Sequence, residues 1–339
     1  MVIPATMNGM VPRRSASSAL LPLLTALLSC APPSGTAVTP PLVVSDRGGA
    51  IRIFELAERG TTARLVGSPR ADDRSYADML PVRLLDGRIA FVSDRGGRRS
   101  IYLTSSGSVT ASPLLPPSVP GGDDSDPAPL GPDRIVFARG STPGDAAAAG
   151  NAASPARDLW SVALDGTGSH ALTRDPADDG APCALPDGRT IVFVSVRRGS
   201  PQLFRLDAAA PDPESTVAPL FEQTPGDADT APACLPDGTL LFARRAGARP
   251  PQIFHFAPDA GGAGARQVTD AGILPAGASE PVFLTDGTLL LTAGPGKGPD
   301  GRPRFAVYRI AEGGYNLVRL TRDQAGYNDL ARLLDTSLR

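Results

Sequence analysis

Five times along this chain a turn built on aspartate, usually Asp-Gly, separates two apolar runs, and the copies recur about every fifty residues. No other feature limits the fold as much. The most legible copies are Pro182-Cys183-Ala184-Leu185-Pro186-Asp187-Gly188-Arg189-Thr190-Ile191-Val192-Phe193 and Pro232-Ala233-Cys234-Leu235-Pro236-Asp237-Gly238-Thr239-Leu240-Leu241-Phe242. Two more centre on Asp86-Gly87 and Asp286-Gly287, and a degenerate one, Leu130-Gly131-Pro132-Asp133, lacks the glycine after its aspartate. The turn aspartates Asp86, Asp133, Asp187, Asp237 and Asp286 are spaced 47, 54, 50 and 49 residues apart. An Ala/Gly/Pro-rich insertion at 141–157, expected to be a disordered loop, accounts for the longest interval.

Asp-Gly between apolar runs predicts a hairpin, because the turn needs positive φ and glycine takes it without a Cβ clash. The run after each turn (Ile89–Ser93, Ile135–Arg139, Ile191–Ser195, Leu240–Arg244, Leu289–Ala293) is apolar or β-forming throughout. That pattern fits a strand covered on both faces, and five residues are too few for a helix. A second turn follows, then a strand with a central aromatic: Phe54, Tyr102, Trp160, Phe204, Phe254 or Tyr308. An outer strand such as the one at Leu172-Thr173 closes the unit. Four strands per fifty residues describe one blade of a β-propeller.

The ends set the number of blades. Ser45-Asp46-Arg47-Gly48-Gly49 repeats the turn at Ser93–Gly97, so the propeller opens in a second strand. Asp335 lies 49 residues after Asp286, and 328–334 resembles a first strand. The expectation is an all-β, six-bladed propeller over 42–339, with four antiparallel strands per blade and the C-terminal strand completing the N-terminal blade.

Before the repeats stand Arg13-Arg14, the apolar stretch Ala19 to Leu28, and Ser29-Cys30. A basic start, a short apolar core and a small residue at the cleavage point describe a secretory signal peptide over 1–29, too short in its apolar part for a transmembrane helix. Leu27-Leu28-Ser29-Cys30 resembles a bacterial lipobox, which implies lipidation at Cys30. Residues 30–41 then read as a flexible tether, and Ala31 in place of aspartate points to the outer membrane, facing the periplasm. An ordinary secreted protein is the alternative. Cys183 and Cys234 sit at different registers of their repeats, which favours two buried thiols over a disulfide in an oxidising compartment.

With Lys+Arg 33 against Asp+Glu 35, no basic excess exists to hold a nucleic-acid backbone. Lys297 is the only lysine, a codon bias more than a chemistry. Only two histidines, His170 and His255, occur, and neither shows a ligand spacing or a nucleophile partner, so neither metal nor cofactor is expected.

The repeats, with an acidic residue, a proline, the Pro-Asp-Gly turn, the Phe-x-Ser strand and the Leu-Thr close, resemble the TolB-like propeller repeat over nearly the whole of 42–339. The resemblance implies a propeller of the envelope kind, without the α/β domain that precedes the TolB propeller, and speaks more to fold than to function. Peptidases with a related propeller add a hydrolase domain, and no Gly-x-Ser-x-Gly nucleophile elbow occurs here.

One acidic residue recurs before each first strand: Asp78, Asp126, Asp179, Asp229, Glu280 and Asp329. These six would converge on one channel mouth as a ring for a cation or a basic peptide, or each would cap its own turn. The turn arginines Arg47, Arg95, Arg197 and Arg198 would decorate a solvated rim, open to an anionic or protein partner. The expected function is a non-catalytic, monomeric scaffold for an envelope protein or peptide. The alternative is a propeller enzyme, or a glycan- or cation-binding protein, working through the channel carboxylates.

Overall fold

A second strand that is apolar on both faces needs a neighbouring sheet on either side, and a closed ring of sheets supplies one to every blade. The computed structural model describes residues 40–46, 49–56, 63–116, 122–140, 156–258, 264–272, 274–283, 289–297, 303–310, 317–319 and 329–331. It shows six four-stranded antiparallel sheets. Blade 2 runs from its inner strand Asp78–Arg83 through Arg88–Ser93 and Ser100–Ser105 to the outer Ser112–Pro113. Blades 3, 4, 5 and 6 repeat this order from inner strands Asp124–Leu130, Asp179–Ala184, Asp227–Cys234 and Ala278–Phe283. In blade 1 the strand Leu42–Ser45 pairs on one side with Arg52–Leu56 and on the other with Asp329–Ala331. Inner strands of successive blades touch from blade 2 through blade 6 to Asp329–Ala331, and at the remaining seam Leu42–Ser45 touches Asp78–Arg83. The only helical turn among the described residues is the 3₁₀ segment Pro213–Thr216, and no described helix is long and apolar enough to cross a membrane.

The turns follow from their residues. Gly87, Gly188 and Gly238 take positive φ after their aspartates. The degenerate copy keeps the same device in another place: Gly131, two residues before Asp133, has φ 68°. Alternation along the second strand then divides the core. In blade 4, Ile191 and Phe193 pack toward blade 3, against Leu130, Ala138 and Leu159, while Val192 packs toward blade 5, against Leu240 and Phe242.

That alternation corrects the expectation of two free thiols. Cys183 lies opposite Val192 and so faces blade 5; Cys234 lies opposite Leu240 and so faces blade 4. They form a disulfide with a Cα–Cα distance of 5.7 Å. Cysteines at one shared register would point the same way around the ring and never meet. A one-residue offset turns the second across the seam, because side chains alternate faces with period two.

Every inner strand of blades 2 to 6 slips register, after its second residue in blades 2, 3, 4 and 6 and after its fourth in blade 5. At the slip Leu80, Asp126, Ala181, Ala231 and Glu280 have φ between 48° and 55°, and each precedes a proline. Proline has no N–H to give the ladder, so the strand bulges there. The five bulges form a collar around a small central cavity of about 50 Å³.

Candidate channel-mouth site

The bulge separates the six acidic positions into two sets. Asp78, Asp179 and Asp229 stand two residues before it, opposite Ser93, Ser195 and Arg244, and are fully buried. Asp329 has the same register opposite Ser45; its side chain lies outside the described residues. Asp126 and Glu280 are the bulge residues themselves and line the cavity. In blade 3 the position of Asp78 belongs to Asp124, opposite Arg139 and buried. Counting back from the turn aspartate misses Asp124. Asp-x-x-Pro, found at Asp78–Pro81, Asp179–Pro182 and Asp229–Pro232, identifies it at Asp124–Pro127.

Each buried aspartate holds an arginine from the end of the second strand or the turn after it. Asp78 Oδ1 lies 2.6 Å from Arg95 Nη2, and Asp124 Oδ1 lies 2.7 Å from Arg139 Nε. Asp179 Oδ2 lies 2.7 Å from Arg197 Nη2, and Asp229 Oδ1 lies 2.6 Å from Arg244 Nε. The guanidinium carbons sit 5.0 Å from the Tyr102 ring centroid, 5.1 Å from Trp160, 5.4 Å from Phe204 and 5.2 Å from Phe254. Four blades therefore stack carboxylate, guanidinium and aromatic ring at the same place, which combines ion pairing with cation–π attraction. Burial pushes the Asp78, Asp124 and Asp179 carboxyls above the usual carboxylate range, against the pull of the paired arginines. Arg95 and Arg197 are thus only 19% and 13% exposed. Arg198 does face solvent, at 49%, with Glu222 Oε2 3.5 Å away.

The channel set is smaller and differently wired. Arg157 Nη1 donates to Asp126 Oδ2 at 3.0 Å and to Ser125 Oγ at 3.1 Å, while Asp178 grips the same guanidinium through both oxygens at 2.9 and 2.8 Å. Glu280 belongs to blade 6, three blades away and therefore across the ring. Pro81, Pro127, Pro182, Pro232 and Pro281 fill the wall between the two carboxylates. Such a mouth suits a cationic group on an apolar stem. Among the described residues no group of three or more His, Cys, Asp and Glu could hold a metal ion. His170 is exposed with Nδ1 3.0 Å from the Gly168 carbonyl, and burial lowers the pKa of His255. Cys30, the leader at 1–29, most of the tether, Arg47 and the insertion through 155 lie outside the described residues. The last tether residues, Pro40 and Pro41, accept hydrogen bonds from Arg83 Nη2 and the Leu56 N–H.

The sequence matches no protein-family model and no curated protein. Its structure is similar to TolB from Acinetobacter baumannii, with TM-score 0.66 and 17% identity, over 87% of this chain and 66% of that one. It is also similar to a puromycin-hydrolyzing peptidase of Mycobacterium tuberculosis, with TM-score 0.52, 16% identity and coverage of 81% and 41%. An oligogalacturonate lyase in complex with manganese gives TM-score 0.55, 16% identity and coverage of 84% and 74%. The chain spans just under two thirds of that TolB and about two fifths of the peptidase. At these identities the likeness carries the fold, which is a TolB-like six-bladed propeller, and not an activity.

Proposed function

We propose that this TolB-like propeller is a non-catalytic binding scaffold of the bacterial cell envelope, taking a protein or peptide at the channel mouth. The observation that carries the reading is the collar of five prolines with Asp126 and Glu280 on opposite sides. A partner would place a basic side chain or amino terminus there, its methylenes against the prolines and its charge between the carboxylates. Export is part of the proposal. It is supported by the Arg13-Arg14 and Ala19 to Leu28 leader pattern, and independently by the Cys183–Cys234 disulfide, a bond that persists in oxidising compartments. Lipidation at Cys30 would then hold the propeller at the outer membrane, facing the periplasm.

A second reading draws on the manganese-bound lyase, a propeller of the same fold. In it Asp126 and Glu280 would hold a cation or a glycan as part of an enzyme. One experiment separates the two. Crosslinking in intact cells followed by affinity purification should recover one envelope protein with the natural chain, and lose it with Asp126→Asn plus Glu280→Gln. Recovery that is unchanged in the double variant would remove the channel mouth from the scaffold reading. Manganese or oligogalacturonate bound by the natural chain and lost in the same variant would favour the enzyme.

A further inference from the structure

We propose that Asp158 and Asp179 share one proton across the seam between blades 3 and 4, and that this proton is a pH-operated latch on the connection joining the two blades. The inference does not depend on what the channel binds.

The geometry begins with a position common to five blades. The residue paired with the end of the second strand, at the start of the third, sends its side chain toward the following connection and the next blade's buried inner position. In blade 1 it is Arg52, with Nε 3.7 Å from Asp78 Oδ2. In blade 2 it is Ser100. In blades 4 and 5 it is Gln202 and Gln252, whose Nε2 atoms donate to the carbonyls of Phe221 and Leu274 at 3.1 and 3.3 Å. In blade 3 the same position is Asp158. Among the charged side chains around it, Asp179 acts on it most strongly, so one carboxyl stands near another where the other blades place a cation or a neutral group.

The surroundings offer little compensation. Thr173 Oγ1 accepts from the Leu159 N–H at 2.9 Å and lies within hydrogen-bonding reach of both carboxyls. A hydroxyl has a single hydrogen and can donate to only one of them. Asp158 Oδ1 and Asp179 Oδ1 are both buried without a hydrogen-bond partner. Asp175 and Glu214 add negative charge from the blade 3–4 connection and the 3₁₀ turn. Every nearby cation has other acceptors. Arg197 serves Asp179 at 2.7 Å and Glu214 at 3.1 Å, with Asp175 at 3.9 Å. Arg174 is turned to Asp212, and Arg157 to Asp178 and Asp126, while Arg139, opposite Asp158 in the ladder, gives Nε and Nη2 to Asp124 and keeps Nη1 buried without a hydrogen-bond partner. Two close carboxylates in such a place retain one proton between them. In keeping with this, the Asp158 carboxyl is pushed up to about 7, by burial first and then by the charge on Asp179.

With the proton present, one carboxyl donates to the other and the orphaned oxygens are satisfied. Once it is lost, two carboxylates repel and the connection over 172–178 loosens. Asp178 lies in that connection and grips Arg157, which reaches Asp126 on the channel wall. The latch therefore also controls how firmly a cation is held beside the channel.

The test uses the mature chain from about pH 5.5 to 8.5, a window that brackets the titration. Thermal unfolding and hydrogen exchange over 172–178 are compared with Asp158→Gln, the side chain of blades 4 and 5. The natural chain should lose a few degrees of Tm relative to the variant between pH 5.5 and about 7 and hold level above that, and exchange over 172–178, corrected for its intrinsic pH dependence, should rise only in the natural chain. Parallel Tm curves with equal corrected exchange would overturn the proposal. Should the variant fail to fold, infrared spectroscopy of the natural chain decides. A protonated-carboxyl band that disappears near pH 7 supports the latch, and its absence at pH 5.5 overturns it.

Discussion

The seam between blades 1 and 2 and the seam between blades 3 and 4 place opposite chemistry on one backbone frame. At the first, Arg52 is fully buried, stacks 4.1 Å from the Tyr76 ring centroid, and donates to the carbonyls of Ile51, Arg70, Asp73 and Tyr76. Its guanidinium also faces Asp78, so the loop from Ser68 to Ala77 is tied to blade 1 through a buried cation and its carbonyl acceptors. At the second, Asp158 faces Asp179, and the corresponding connection depends on a proton. Equivalent strands can thus make a permanent seam or a titratable one through a single residue. Propeller repeats conserve the frame, and the chemistry of each seam is free to differ.

A third seam supplies a scale for breaking that comparison. Cys183→Ser with Cys234→Ser releases a crosslink spanning 51 residues, and the entropy of closing such a loop amounts to about 4 kcal/mol. Denaturant unfolding should show the largest loss here, with reduction of the natural chain reproducing it. Arg52→Leu removes a buried cation with its carbonyl acceptors and should cost about 3 kcal/mol at every pH; a cost that varied with pH would show that the seam between blades 1 and 2 also titrates. Asp158→Gln should act in the other direction, with an advantage that builds up between about pH 4 and 7 and persists above. The folded pKa of about 7 exceeds the ordinary carboxylate value of 3.8, so the folded chain holds a proton that the unfolded chain has released. Stability therefore falls as pH rises from about 4 to 7 and stays low above that. The variant should gain roughly 1–2 kcal/mol over the natural chain at pH 8, allowing for solvent screening at a half-buried site, and little near pH 4. The smallest effect belongs to Arg70→Ala. Its pair with Asp72 is 70% and 64% exposed, so Tm should not move measurably.

Much of the fold was legible because its determinants are local. The Asp-Gly turns, the apolar second strands and the aromatic of each third strand repeat openly, and Leu42–Ser45 lies where a second strand was expected. The candidate site was legible only in outline. Asp126 and Glu280 were grouped with Asp78, Asp179 and Asp229 because all five precede a first-strand turn at similar spacing. A two-residue difference relative to proline separates a bulge residue on the channel wall from a buried partner of arginine. Arg95 and Arg197 looked like rim residues because Gly-rich turns are usually solvated, yet each folds back over the rings of its own blade. Asp158 carried no signal of its own, since an aspartate before an apolar strand is ordinary until its neighbour across the seam is known.

What the sequence determined by itself was the repeat: six units, four strands in each, and closure by the two ends of the chain. Turn chemistry and strand alternation act over a few residues, so a linear pattern is enough to specify them. What only the tertiary structure decided was which side chains meet across seams. A one-residue offset brought Cys183 and Cys234 together, a proline bulge divided the carboxylates, and ring geometry set Asp158 against Asp179. Those contacts join residues of different blades, and their sign depends on which face of a strand each side chain occupies. No spacing along one chain records that until the blades are packed.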